Sequence, residues 1–213
     1  MGGSFSLGRF RGTDFRINYS ILILFGFFLY RDWSRGGLPE ALDGARLLVL
    51  IFACIVLHEI GHALAARAYG IRTTQISLDF FGGRAHLTGT GSTPLAEAAI
   101  ALAGPAVNLV LAGVAYVFYK YATGSGDVMA AYDHSAELIR RLMIVNLFLA
   151  VFNLIPAFPL DGGIALRALL TKFLPRLSAR LVVGHLGQGL AVVLAVYGVA
   201  RDPLAIAIAL FIF

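Results

Sequence analysis

His58, Glu59 and His62 stand together in an otherwise apolar run, LLVLIFACIVLHEIGHALAARAYG, from Leu47 to Gly70. On a helix, residues i and i+4 share a face, so two imidazoles at this spacing can offer nitrogen to one Zn²⁺. Glu59, next to the first of them, is placed to act as a general base on water activated by that metal. The run from Leu47 to Leu57 ahead of the motif carries no charge. An ionisable cluster in such surroundings is expensive at membrane depth and marks a functional site by default.

Two histidines do not complete a catalytic zinc site, which uses three protein ligands and keeps one position open. The remaining candidates are His86, His134 and His185, with Asp79, Glu97 and Asp161 among the carboxylates. Asp161 stands out, because it closes the stretch Asn153-Leu-Ile-Pro156-Ala-Phe-Pro159-Leu-Asp161-Gly162-Gly163 directly after an apolar segment. Pro156 and Pro159 break the helix, while Gly162 and Gly163 permit tight turns. Unwound backbone at membrane depth is tolerated only where protein or a water-filled cavity covers it, so this stretch should line a polar pocket with a carboxylate aimed inward. The alternative role for Asp161 is the N-cap of a helix over 164–172. Cys54, one turn before His58, also faces the metal side, but a small buried hydrophobe is its ordinary role.

The elements that must carry these residues read as membrane spans. The chain of 213 residues is 59% hydrophobic and only 14% charged, with mean hydropathy +0.82. A soluble domain would carry about 25% charged residues. Six apolar segments, about 17–33, 43–69, 95–121, 136–156, 181–200 and 202–213, come near the length needed to cross a bilayer. The expected fold is therefore an all-α polytopic membrane protein with about six transmembrane helices, organised as a single domain over 1–213. Arg31, Asp32, Trp33 and Arg35 bound the first segment like an interfacial anchor, and no small-residue cleavage site follows it, so it reads as a span and not a signal peptide. The glycines within the segments, Gly104 among them, suit close helix packing. Glu97 fits the start of a helix, where the dipole favours an anion.

With an inner N-terminus, Arg9, Arg11, Arg16, Arg67, Arg72, Arg84, Arg167, Lys172, Arg176 and Arg180 fall inside, against Arg31, Arg35, Arg46, Lys120, Arg140, Arg141 and Arg201 outside. That bias has the sign of the positive-inside rule. The net charge of +5 is dispersed around apolar segments, without a basic stripe interleaved with aromatics, so the partner is the lipid bilayer and not nucleic acid. The single Cys54 excludes an intramolecular disulfide framework.

The HExxH tetrad in an apolar helix, followed by NxxPxxPxDG, resembles the site-2 protease family of intramembrane zinc metalloproteases. Phe81-Gly82-Gly83-Arg84-Ala85 is similar to that family's membrane-associated hairpin, and Gly104-Pro105-Ala106-Val107-Asn108 to its GPxxN helix. The resemblance implies one Zn²⁺ held by His58, His62 and Asp161, with Glu59 as catalytic base. It implies transmembrane proteins as substrates, a prokaryotic cell membrane as location and an active site opening to the cytosol. It is nearest to the compact archaeal and bacterial members, some of which carry a soluble regulatory module after the sixth span; an abrupt end at Phe213 fits removal of such a module.

Asn108 and Asn153 are candidates to orient substrate or donate to a developing oxyanion; either could equally make an interhelical hydrogen bond. A helical substrate has no free backbone to attack, and an edge strand could hold it extended. The alternation from Thr73 to Ser77 predicts one strand, Gly82 and Gly83 a turn, and Arg84 to Gly89 the returning strand. Gly83, Arg84, Ala85, His86 and Leu87 are then the candidate pairing residues. Two other functions remain open: a metal-ion or proton-coupled transporter, since intramembrane His and Asp also build ion pathways, and an inactive relative that binds membrane proteins. Transport gives no role to Glu59, and an inactive relative need not keep the full set of four.

Overall fold

The computed structural model describes residues 3–10, 13–79, 82–88, 93–124, 134–201 and 203–213. The protein is mostly helical with one small sheet: β1 (Ser4–Phe10), β2 (Thr13–Asn18), α1 (Tyr19–Ala68), β3 (Arg72–Asp79), β4 (Gly82–Thr88), α2 (Pro94–Thr123), α3 (His134–Asn153), α4 (Asp161–Leu170), α5 (Arg176–Ala200) and α6 (Pro203–Ile212). Three helices, α1, α2 and α5, are long and apolar enough to cross a membrane.

The 50-residue α1 is two helices in one. Gly37 has φ +76°, in the left-handed region that glycine tolerates, and Pro39 follows it. The chain doubles back there: Phe25 stacks on Phe52 with ring centroids 5.1 Å apart, and the strands entering and leaving α1, β2 and β3, lie side by side and parallel. Arg31 and Arg35 therefore sit at the far end from the sheet, and His58 on the limb returning towards it. This limb closes at Gly70, φ +75°, where the Ile71 N–H returns to the Ala66 carbonyl.

The sheet corrects the expectation of a lone hairpin. Its order is β1-β2-β3-β4, with an N-terminal hairpin beside the expected one. Gly82 already pairs with Asp79, and Gly83 with Leu78, so these glycines belong to β4 and do not form the turn. β4 ends the sheet, which leaves its outer edge without a strand among the described residues.

α2 is the central support. Thr93 caps its start through Ala96 N–H, Pro94 occupies its first turn, and Gly124 ends it at φ +62°. It packs on α1, α3 and α4. The loop between α3 and α4 is covered by α5 and α6, where Ala157 and Leu160 share a core with Ala191, Ala209 and Ile212. α6, at ten residues, rises only about 15 Å, about half of a hydrocarbon core.

Candidate metal centre

α1 presents His58 and His62 one turn apart, both buried, as the motif spacing requires. The third group arrives from α4. Asp161 is its first helical residue, and Leu160 takes the N-cap position, so the N-cap role considered for Asp161 is not the one it has. Gly162 and Gly163 serve close approach and not a special turn: a Cβ on Gly162 would meet the Leu154 carbonyl, and one on Gly163 the Ala157 backbone. Their bareness lets α4 begin against the preceding loop.

The three donors form a nearly equilateral triangle. His58 Nε2 lies 3.2 Å and His62 Nε2 3.3 Å from Asp161 Oδ2, and the two Nε2 atoms are 3.1 Å apart. Three donors held 2.0–2.1 Å from a tetrahedral ion would lie about 3.3 Å from one another. The other ring nitrogens are already used. His58 Nδ1–H donates to Asn108 Oδ1 at 2.9 Å, and His62 Nδ1–H to the Ile100 carbonyl at 2.7 Å. Those acceptors fix both tautomers, so both Nε2 lone pairs and a carboxylate oxygen converge on one point. Three lone pairs facing one another repel unless a cation lies between them. The set therefore fits Zn²⁺, and His58, His62 and Asp161 could hold it.

One stripe of α2 arranges this. Ile100, Gly104 and Asn108 follow at spacings of four residues and share a face. Ile100 and Asn108 hold the two rings, and Gly104 makes room for them, since a Cβ there would collide with Nε2 of both histidines. The close packing expected of Gly104 is real, and its neighbour is the site itself.

The other candidates fall elsewhere. Glu59 is buried beside the cluster on α1. Asn108 is fully buried, and its Nδ2 has no hydrogen-bond partner among the described residues. Asn153 donates one N–H to the Leu149 carbonyl of its own helix. Cys54 is buried and accepts from Asn146 Nδ2 at 3.2 Å, a link between α1 and α3. Glu97 binds Arg167, and His185 is exposed on α5, away from the cluster. The side chains of Asp79, His86 and His134 lie outside the described residues, as do those of Gly83 to Leu87, although the β4 backbone is described. Sequence reading missed the Ile100 carbonyl and Arg167. The first leaves no trace in residue type; the second was legible only as one of many basic residues.

With this geometry in hand, comparison with known proteins is specific. Residues 46–137 and 124–196 match the sequence profile of peptidase family M50. A relative from Synechocystis sp. is 35% identical over 198 residues, covering 89% of this chain and 50% of its own. A zinc metalloprotease from Methanocaldococcus jannaschii is 32% identical over 170 residues, covering 79% of this chain and 48% of its own. The chain thus spans about half the length of these relatives. The solved site-2 protease of Methanocaldococcus jannaschii superposes with TM-score 0.72 at 29% identity, covering 99% of this chain and 92% of that one.

Proposed function

The chain belongs to peptidase family M50, and on that premise we propose that it is a zinc metalloprotease of the site-2 type, cutting peptide bonds in or near transmembrane segments of substrate proteins. The observation that carries this is the triangle of His58 Nε2, His62 Nε2 and Asp161 Oδ2, with edges of 3.1 to 3.3 Å. The transporter reading has no such family support, and the inactive-relative reading leaves the complete set of His58, Glu59, His62 and Asp161 without a purpose.

In this reading His58, His62 and Asp161 hold the metal. Bound zinc supplies a Lewis acid that polarises the scissile carbonyl and lowers the pKa of water towards about 7. The Glu59 carboxylate accepts a proton from the attacking water and returns it to the leaving amine. Asn108 has two tasks. Its Oδ1 holds the His58 tautomer, and its buried Nδ2, without a partner among the described residues, is a ready donor for the oxygen that becomes negative as the carbonyl is attacked. Asn153, with one amide N–H engaged by Leu149, keeps its second N–H for the substrate.

The substrate backbone has to be extended before it can be cut. The outer edge of β4, from Gly83 to Leu87, offers backbone N–H and C=O groups for that purpose. The six apolar segments all enter the bilayer, α1 counting twice, and the described residues form one protease unit. The sheet lies on the cytosolic side with the basic Arg9, Arg16, Arg67 and Arg72, so water reaches the site from the cytosol.

Metal analysis and cleavage of a transmembrane model substrate, run together, test the assignment. Asp161→Ala should lose zinc and activity together. Glu59→Gln should keep one zinc per chain and lose activity, because the base is not a ligand. An Asp161→Ala protein that holds zinc and cuts would overturn it.

A further inference from the structure

We propose that the ion pair between Glu97 of α2 and Arg167 of α4 is the positioning device that sets Asp161 against the two histidines. This rests on the zinc reading of the cluster.

Asp161 sits at the tip of a ten-residue helix, too short to hold its own shape. α4 docks on α2 through Ala165 and Ala168 against Ala98 and Ala101, with Ile164 alongside. A seam of methyl groups, with Ile164 as its one larger side chain, brings the helices close but contains no directional bond to lock their register. A slide by one residue moves a helical group about 1.5 Å along the axis and turns it by about 100°. Either movement would take Asp161 Oδ2 out of reach of both Nε2 atoms. Something directional must fix the register, and the seam itself does not supply it.

Arg167 Nη2 donates to Glu97 Oε2 at 2.8 Å, with both side chains about three-quarters buried. A charge-assisted bond from the planar guanidinium is directional and stronger than a neutral one, the more so away from bulk water. The pairs Arg16–Asp14, Arg31–Asp32, Arg46–Asp43, Arg140–Glu137 and Arg141–Glu137 each join side chains within four positions on the chain; this one spans 70. Arg167 lies six residues beyond Asp161, about 9 Å along α4. Glu97 also extends the stripe of α2 that serves the site. It stands three residues before Ile100, with Gly104 and Asn108 following on the same face. One face of α2 thus holds His58, holds His62, makes room for both and, through Arg167, sets the helix that carries Asp161.

The test uses the purified chain in lipid nanodiscs, with zinc affinity read by chelator competition and cobalt substitution read by visible absorption. Glu97→Gln and Arg167→Gln should each weaken zinc binding about 10- to 100-fold, the range for removing an outer support of a ligand. Both should also alter the cobalt spectrum. The double variant should bind no more weakly than the weaker single, because both remove one contact, and Arg167→Lys should restore part of the affinity. If Glu97 acts only on the α2 dipole, Arg167→Gln will be silent and the proposal falls. It falls equally if both singles stay within twofold of the unmodified chain, or if their effects multiply in the double. An unmodified chain that binds no zinc would instead sink the reading beneath it. Circular dichroism keeps a loss of fold distinct, and where a glutamine variant does not fold, Glu97→Asp and Arg167→Lys carry the same comparison.

Discussion

Asp161 at the metal cluster and Asp14 in the N-terminal hairpin each answer to two partners, in opposite surroundings. The partners of Asp161 are His58 and His62, side chains only 8% and 10% exposed and about a hundred positions away in the chain. The partners of Asp14 are Ser6 and Arg16, both within eight positions, and Arg16 is 44% exposed. A hairpin brings its contacts together as soon as its turn forms, and water can replace any of them. The cluster exists only when α1, α2 and α4 are all in place, and water cannot repair it. Substitutions around Asp161 should therefore cost function heavily, and those around Asp14 almost nothing.

The largest effect after loss of a ligand is expected at Gly104. Alanine there would drive its methyl into Nε2 of both histidines. The rings cannot retreat without abandoning Asn108 and the Ile100 carbonyl. Gly104→Ala should lose tight zinc binding and all cleavage, as calorimetry and a peptide assay would register. Normal zinc affinity in that variant would mean that the site is far softer than the buried contacts imply.

Asn108 sharpens the same comparison, because its two ends can be separated. Asn108→Ala removes the acceptor for His58 Nδ1–H and should weaken zinc about 10- to 100-fold. Asn108→Asp keeps an acceptor oxygen and loses the Nδ2 donor. It should hold zinc nearly as well while turnover drops about 10²- to 10³-fold, the scale of a lost oxyanion donor. Equal loss of zinc in both variants would confine Asn108 to holding the ring.

The sheet gives a smaller, purely functional effect. Proline at position 85 or 87 removes one backbone N–H from β4. A single backbone hydrogen bond is worth about 1 kcal/mol, so cleavage should slow about fivefold with zinc content unchanged. Unaltered turnover would take β4 out of the mechanism.

What could be read from the sequence follows the same division. The histidine spacing, Glu59 and the proline–glycine frame around Asp161 were legible because each reflects a local rule of backbone or ligand geometry. The apolar segments were legible from composition, and the first two are the limbs of α1 on either side of the double-back at Gly37. The N-terminal hairpin went unread although Asp14-Phe15-Arg16-Ile17 alternates polar and apolar residues, because the short strand runs directly into the first apolar segment, which starts at Ile17. The Ile100 carbonyl was invisible because every residue has one. Arg167 could be read as a charge, but its partner depends on how α4 lies on α2.

The smallest effect is expected in the hairpin. The Ser6 hydroxyl donates to Asp14 Oδ1 at 2.6 Å, and Arg16 Nε donates to Oδ2 at 2.7 Å. First the Ser6 bond and then the Arg16 guanidinium hold the Asp14 carboxyl below its ordinary pKa. A carboxyl with a lowered pKa in the folded state favours folding above the pKa it has when unfolded, and that contribution is lost as pH falls through the folded value. Removing the Ser6 hydroxyl should raise the Asp14 pKa towards the usual carboxylate value. The acid-dependent loss of stability contributed by Asp14 should then shrink and end at higher pH, while neutral-pH stability changes little, because the pair is open to solvent. An NMR titration of Asp14 in Ser6→Ala and the unmodified chain measures the first. Zinc affinity of the two proteins, measured at neutral pH, should agree within twofold, since the bonds of Ser6 and Asp14 stay within the hairpin, away from the face of α2 that supports the metal ligands. A weaker zinc site in Ser6→Ala would show that the hairpin and the cluster are coupled through β2, β3 and the returning limb of α1, and the contrast between the two aspartates would fail.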